Sequence, residues 1–115
     1  MKFWLFCAAV LAAWSAPPAF GANSAQPMAG KQVFDKWCLP CHGDSDQAPG
    51  TLALRVKYKG TLPAVLEQRT DLTAATVKYF VRHGVLVMPF FRKTEISDVQ
   101  LNALANYLQD PRGRK

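Results

Sequence analysis

The sequence predicts an all-α fold, and three observations lead to that prediction. Two stretches far apart in the chain carry apolar or small residues at the i, i+3, i+4, i+7 spacing of one helix face. These residues are Gly30, Val33, Phe34 and Trp37 in the first stretch, and Leu101, Leu104, Ala105 and Leu108 in the second, with Tyr107 beside them. Ser97 and Gln100 can form a capping box at the start of the second stretch. No segment shows the sustained alternation of apolar and polar residues that a half-buried strand requires.

Turn signals separate the first helix from the elements that follow it. Residues 43–60 are interpreted as a loop, because Gly43-Asp44 and Pro49-Gly50 are typical of turns. A short helix is expected from about residue 63 to residue 69, since the proline that begins this stretch is accepted in the first helical turn.

A third helix is expected to begin after Thr73, whose hydroxyl can cap its first turn. Gly84 is expected to end this helix in the left-handed conformation that glycine tolerates. The residues expected in its buried stripe are Val77, Phe80 and Val81. Residues 85–94 then form a loop around Met88-Pro89, ahead of the last helix.

Residues 1–22 are expected to be a cleaved secretory signal peptide. Lys2 supplies a positive charge, and residues 3–14 are almost unbroken apolar sequence, followed by prolines and small residues that suit cleavage after Gly21 or Ala22. The alternative is a retained membrane anchor. This apolar run is shorter than the ~20 residues that a spanning helix needs, so export to the periplasm, with no membrane span after processing, is the favoured interpretation.

The mature chain is expected to be one domain, residues 23–110, with a short flexible leader at its start and a basic flexible tail, residues 111–115. Loss of Lys2 with the signal peptide lowers the formal net charge by one, from +6 to +5. No basic stripe with interleaved aromatic residues is present, so nucleic-acid binding is not predicted. The charge favours, weakly, an acidic protein partner.

Removal of Cys7 with the signal peptide leaves two cysteines, and both lie in the motif Cys38-Leu39-Pro40-Cys41-His42. A C-x-x-C-H sequence attaches one c-type haem: the two thiols bond covalently to haem, and the adjacent histidine binds the iron. A thioredoxin-like dithiol would need a βαβ pattern, which is missing. A zinc site formed with His83 would have poor ligand spacing.

The second axial ligand of the iron is expected to be Met88. The candidates after processing are Met28, Met88 and His83. Met28 precedes the first helix and has little reach to the distal face, and His83 is readily explained as a residue stabilised at a helix C-terminus. Met88 lies in a loop stiffened by Pro89, and His/Met ligation is usual in electron-transfer cytochromes.

Support for these ligands is expected from Pro49, whose carbonyl could accept a hydrogen bond from the second ring nitrogen of His42. A plain turn proline is the alternative. Four side chains could also contact haem propionates, although surface charge or core packing explains each of them equally well. They are Trp37, Arg55, Tyr58 and Arg82.

Over essentially the whole mature chain, the sequence resembles the class I cytochromes c. Gly30 and Phe34 in the first helix, with Tyr107 in the last, are similar to the small-and-aromatic helix crossing of that family. Residues 38–42 and 88–89 match its ligand motifs. The resemblance implies a small fold of three to five helices around one haem, with one haem edge exposed.

A narrower resemblance concerns residues 81–92 and 94–98. They are similar to the cytochrome subunits of flavocytochromes of the 4-cresol dehydrogenase (p-cresol methylhydroxylase) type. In that family a periplasmic flavoprotein oxidises a para-alkylphenol and the cytochrome removes electrons from the flavin one at a time. The basic tail at residues 111–115 departs from this pattern and indicates nothing about the partner.

Three functions remain open from the sequence: a subunit of a flavoprotein dehydrogenase, a free carrier between respiratory complexes and a terminal oxidase, and a haem enzyme or gas sensor. Each carrier function also needs a downstream electron acceptor. No catalytic nucleophile or acid–base pair is predicted, so the protein by itself is expected to be a carrier and not an enzyme. The loop around Met88 is unusually apolar, and part of it is expected to cover the haem. Any part that stays exposed suits a stable docking surface, which favours the first function. Its apolar residues are Val85, Leu86, Val87, Pro89, Phe90 and Phe91.

Overall fold

A computed structural model describes residues 25–112 and residue 114. The five α-helices are α1 (Ala25–Trp37), α2 (Leu39–His42), α3 (Pro49–Tyr58), α4 (Ala74–His83) and α5 (Asp98–Gln109), with one turn of 3₁₀ helix at Leu66–Gln68. The described residues contain no strand, only an isolated bridge between Val85 and Met88. The predicted all-α fold is therefore confirmed. The predicted signal peptide, residues 1–22, lies outside the described residues.

The core forms where α1 crosses α5, as the two apolar stripes predict. Gly30 makes the close approach possible, because a Cβ atom at this position would lie 2.5 Å from the Cβ atom of Tyr107. The rings of Phe34 and Tyr107 pack against each other with their centroids 6.0 Å apart. Both side chains are buried, so the predicted small-and-aromatic crossing is confirmed.

α4 packs against α5 and closes the core from a second side. Thr73 accepts a hydrogen bond from the amide of Thr76, as predicted for an N-cap. Gly84 ends the helix with the expected positive φ of 68°, but its ψ of 179° lies outside the left-handed helical region. Val77 and Val81 are buried, whereas Phe80 is 37% exposed, so the prediction that Phe80 belongs to the buried stripe was wrong.

The start of α5 is held by the predicted capping box. The Ser97 hydroxyl accepts from the amide of Gln100, and the Gln100 side chain accepts from the amide of Ser97. All the predicted core positions of this helix are buried. They are Leu101, Leu104, Ala105, Tyr107 and Leu108.

Two predictions between the first and third predicted helices were wrong. The segment interpreted as a loop, residues 43–60, contains α3, because Pro49 occupies the first helical turn, where a missing amide hydrogen costs nothing. The helix expected over residues 63–69 is reduced to three residues of 3₁₀ helix, since Val65 is extended. The expected leader is also shortened, because α1 begins at Ala25.

Arg114, in the predicted basic tail, contacts three backbone carbonyls. Its guanidinium donates to the carbonyl oxygens of Leu66 at 3.2 Å, Leu108 at 2.9 Å and Arg69 at 2.5 Å. Residues 113 and 115 lie outside the described residues, so the flexible tail over residues 111–115 stays a prediction. No helix among residues 25–112 is both long enough and apolar enough to cross a membrane.

Candidate functional site

The C-x-x-C-H motif forms a helical turn that follows directly from α1. The amide of Cys38 donates to the carbonyl of Phe34 at 2.8 Å, and the amides of Cys41 and His42 both donate to the carbonyl of Cys38, at 3.0 Å and 2.8 Å. Residues three apart in a helix lie on neighbouring positions of one face. The two cysteines and the histidine are therefore brought together, as the sequence predicts.

The two thiols of this turn are free and have different surroundings. Cys38 is half-buried and packs against the core that α1 and α5 form, whereas Cys41 is exposed. Burial, with a smaller effect from Cys41, raises the pKa of Cys38 to about 12. The burial of Cys38 therefore favours the neutral thiol over the thiolate.

His42 presents the feature that best fits a metal ligand. Its Nδ1 atom is buried and has no hydrogen-bond partner. Burial lowers the pKa of the imidazole, which favours the neutral form that binds metals. With Nδ1 enclosed by protein, Nε2 is the ring nitrogen left for iron.

The first turn of α3 lies against the His42 ring. A Cβ atom at Gly50 would lie 2.7 Å from Cε1 and 2.9 Å from Nδ1 of His42, so only glycine leaves room for the imidazole. The predicted hydrogen bond from His42 to the Pro49 carbonyl is not formed, because Nδ1 has no partner. The structure thus brings Pro49-Gly50 beside His42, and the role of the Pro49 carbonyl stays a prediction.

Thr51 connects the motif to α3, a contact that the sequence analysis missed. Its side chain is fully buried, and its hydroxyl donates to the carbonyl of Gly43 at 2.8 Å. Gly43 directly follows His42, so this bond fixes the chain where it leaves the motif. A single threonine in a segment interpreted as a loop carries no pattern that would have identified it.

Met88 lies in the segment between α4 and α5, residues 84–97, here called the Met88 loop. Val85 and Met88 exchange two backbone hydrogen bonds, of 3.1 Å and 2.9 Å, which close a two-residue hairpin. Met88 itself is half-buried. Phe91 of the same loop packs edge-on against Trp37 with the ring centroids 5.8 Å apart, and Trp37 directly precedes Cys38. The Met88 loop therefore contacts the element that carries the C-x-x-C-H turn.

Of the two rival ligands, His83 is engaged with its own helix. Its Nδ1 lies 2.7 Å from the carbonyl of Tyr79, and the two rings stack with centroids 4.4 Å apart. The side chain of Met28 lies outside the described residues. Within residues 25–112 and 114, no group of three or more His, Cys, Asp or Glu side chains is arranged to hold a metal ion directly.

The candidate propionate contacts have protein partners in the structure. Arg55 pairs with Asp46 at 2.8 Å, and Tyr58 lies 4.6 Å from the guanidinium of Arg69. Arg69 is a buried residue that the sequence analysis missed. It donates to Asp71 at 2.8 Å and 2.5 Å, and only the Arg-x-Asp spacing could have suggested this pair.

The tip of the hairpin is the most exposed apolar surface among the described residues. Leu86 is 99% exposed and Val87 is 88% exposed. Val85 and Phe90, on either side, are also exposed. These four residues are called the apolar tip below.

The donor set fits haem c: two thiols in one helical turn, an imidazole whose burial favours the neutral form, and a thioether in the loop between α4 and α5. A family of sequences described as cytochrome c oxidase, cbb3-type, subunit III matches residues 25–108. No match was found among curated proteins or among solved structures. Since the family match covers most of the chain, this protein belongs to that family of cytochrome c domains and is an electron-transfer haem protein with a small all-α cytochrome c fold.

Proposed function

We propose that this chain is a periplasmic cytochrome that carries one covalently attached haem c and accepts single electrons as a subunit of a flavoprotein dehydrogenase. The enzyme partner oxidises alkylphenols or similar substrates. The observation that carries the haem assignment is the helical turn at residues 38–42, which brings two thiols and an imidazole together. The observation that favours a subunit over a free carrier is the exposure of the apolar tip.

Bound haem supplies an iron that alternates between the ferric and ferrous states. Cys38 and Cys41 would hold the macrocycle through thioether bonds, and His42 and Met88 would bind its iron. A methionine ligand raises the reduction potential relative to a second histidine. With both of these residues as ligands, the iron would have no open site for oxygen or peroxide, so these four residues would support electron transfer.

The apolar tip suits a lasting interface. Protein interfaces have a desolvated apolar centre and a polar rim. The side chains of the apolar tip bury little apolar area within the domain itself, so they are available to a partner. Between residues 78 and 98 four basic side chains accompany two acidic ones. The basic residues are Lys78, Arg82, Arg92 and Lys93. An apolar pocket with an acidic rim on the flavoprotein would complement this surface.

A free carrier that delivers electrons to a terminal oxidase is the second candidate. The description of the matching family names a subunit of a cytochrome c oxidase, which supports a place near such an enzyme. The haem chemistry is the same in both cases, so the partner distinguishes them.

The first experiment is gentle purification from the source periplasm, with haem and flavin absorbance recorded on one chromatography trace. Flavin that co-elutes with the cytochrome, and reduces its haem when a para-alkylphenol is added, establishes the dehydrogenase subunit. The two electrons of each substrate then pass singly from flavin to haem. A haem peak that runs alone at monomer size contradicts the proposal and favours the free carrier.

A matched pair of variants tests the docking surface. Leu86→Ser is expected to weaken co-elution with the flavoprotein, because it removes an apolar side chain from the tip. Val99→Ser is the control, since Val99 on α5 is 78% exposed and lies outside the tip. Equal retention of both variants by the flavoprotein would exclude the tip from the interface.

Covalent attachment is tested with Cys41→Ser. This variant loses one of the two thioether bonds, so the yield of mature holoprotein is expected to fall severely. Mass spectrometry and denatured haem spectra measure how many bonds remain. A normal yield of doubly attached haem in the variant would contradict the assignment of Cys41 as an attachment site.

A further inference from the structure

The Met88 loop is held at its base by backbone contacts with α4. The amide of Gly84 donates a hydrogen bond to the carbonyl of Phe80 at 2.7 Å, and the amide of Phe91 donates to the carbonyl of Val81 at 2.8 Å. A Cβ atom at Gly84 would lie 2.5 Å from the Met88 carbonyl oxygen. The two ends of the segment that contains Met88 are therefore kept close together by α4.

Arg82 adds a second set of bonds at the same point. One guanidinium nitrogen donates to the carbonyl of Phe91 at 2.9 Å, and the other donates to the carboxylate of Asp98 at 2.9 Å. The peptide groups of Phe91 are thus bonded on both sides, through its amide to Val81 and through its carbonyl to Arg82. Because Asp98 begins α5, one side chain joins α4, the Met88 loop and α5.

The environment of Arg82 distinguishes it from the other basic residues of this region. Its side chain is 19% exposed, whereas that of Arg92, which pairs with Glu95 at 3.5 Å, is 71% exposed. Exposed ion pairs contribute little, while hydrogen bonds from a partly desolvated guanidinium are stronger. The planar fork of arginine also serves two acceptors at once, which an ammonium group does less well.

We infer that Arg82 is a positioning residue for Met88: it fixes Phe91 to α4 and α5, and so limits how far the Met88 loop can open. The inference rests on the proposed function, in which Met88 binds the iron. Met88 is three residues from Phe91, so an anchor at Phe91 restricts the positions that the Met88 thioether can reach. Release of that anchor lets the loop sample open conformations in which Met88 has left the iron.

The test is titration of the ferric holoprotein with imidazole, a ligand that binds only where Met88 has been displaced. Arg82→Ala is expected to bind imidazole about tenfold more tightly, because it loses a charge-assisted hydrogen bond that holds the loop closed. Its reduction potential is expected to fall, since the ferric form with an open loop is favoured. Arg82→Lys keeps the charge and one donor, so its imidazole affinity is expected to lie between those of the wild type and Arg82→Ala.

Arg92→Ala is the matched control, since it removes an equal charge from the Met88 loop itself, and its imidazole affinity is expected to match that of the wild type. Equal affinities for Arg82→Ala and Arg92→Ala would overturn the inference, even if Arg82→Ala unfolds more readily. If Arg82→Ala yields no holoprotein, Arg82→Lys and Asp98→Asn replace it in the imidazole titration. Wild-type imidazole affinity in both variants would then overturn the inference.

Met88→Ala separates this inference from the proposed function. It is expected to bind imidazole more tightly than any loop variant, because no intrinsic ligand competes. Wild-type affinity in Met88→Ala would remove Met88 from the iron and overturn the ligand assignment together with the inference. Tight binding in Met88→Ala with unchanged binding in Arg82→Ala would overturn the inference alone.

Discussion

The crossing of α1 and α5 differs from the Met88 loop in where its apolar side chains lie. At the crossing, apolar side chains are fully enclosed, as Phe34 and Leu104 show. In the Met88 loop, hydrogen bonds hold the base of the loop, and the apolar side chains of Leu86 and Val87 are exposed to solvent.

This difference separates stability from function. Burial of apolar area stabilises the fold wherever the side chains are packed, so the crossing carries much of the folding free energy. The Met88 loop contributes little through its tip and instead sets the position of one side chain and the surface offered to a partner. Substitutions in the first region should change unfolding, and substitutions in the second should change potential and binding.

The largest effect is expected from truncating a leucine at the crossing. Leu104→Ala removes a fully buried side chain and should lower the free energy of unfolding by about 2–5 kcal/mol. Leu86→Ala, the same change at the exposed tip, should stay within about 0.5 kcal/mol of the wild type. Urea denaturation of the two holoproteins measures both values. Similar losses would show that the tip is packed in solution.

A glycine pair gives the next largest effect. Gly30→Ala places a Cβ atom against Tyr107 and should destabilise the protein by about 1–3 kcal/mol through overpacking. Gly60→Ala is the control, since a Cβ atom there meets open space, although its φ of 85° still imposes backbone strain. Thermal unfolding followed by circular dichroism should rank Gly30→Ala as the less stable variant. The reverse ranking would contradict the close crossing.

Met88→Ala should affect the iron more than the fold. The variant is expected to keep covalent haem and to show a reduction potential lower by about 0.1 V, a modest part of the ~0.8 V range that axial ligands span. Redox titration measures the change, and exposure to carbon monoxide in the ferrous state should show binding that the wild type resists. An unchanged potential would mean that another residue binds the iron.

The smallest effect is expected at the backbone of the hairpin. Leu86 has a φ of 52°, a conformation that side chains disfavour, so Leu86→Gly should relieve strain and change stability by less than about 1 kcal/mol. The same change removes an apolar side chain from the tip and should weaken partner binding. Leu86→Asn is the control for backbone strain, since asparagine tolerates a positive φ and still has a side chain. A strongly destabilised Leu86→Gly would show that the side chain is packed.

The sequence by itself determined the features that depend on neighbours in the chain. The C-x-x-C-H motif keeps two thiols and an imidazole within five consecutive residues, so the chain itself sets their proximity. The caps at Thr73 and Ser97 and the apolar stripe of α5 were also predicted, since they follow from residues three or four positions apart.

Only the tertiary structure decided the features that depend on distant partners. Arg82 was a candidate for haem propionates, and its bonds to Phe91 and Asp98 follow from the return of the Met88 loop to α4. The burial of His42 Nδ1 follows from the docking of α3, in a segment whose turn residues also suit a helix start. Exposure of the tip was likewise beyond any local pattern, because an apolar run has the same composition whether it is packed or faces water. Burial and hydrogen bonding between remote segments depend on how the whole chain packs, which residue spacing does not encode.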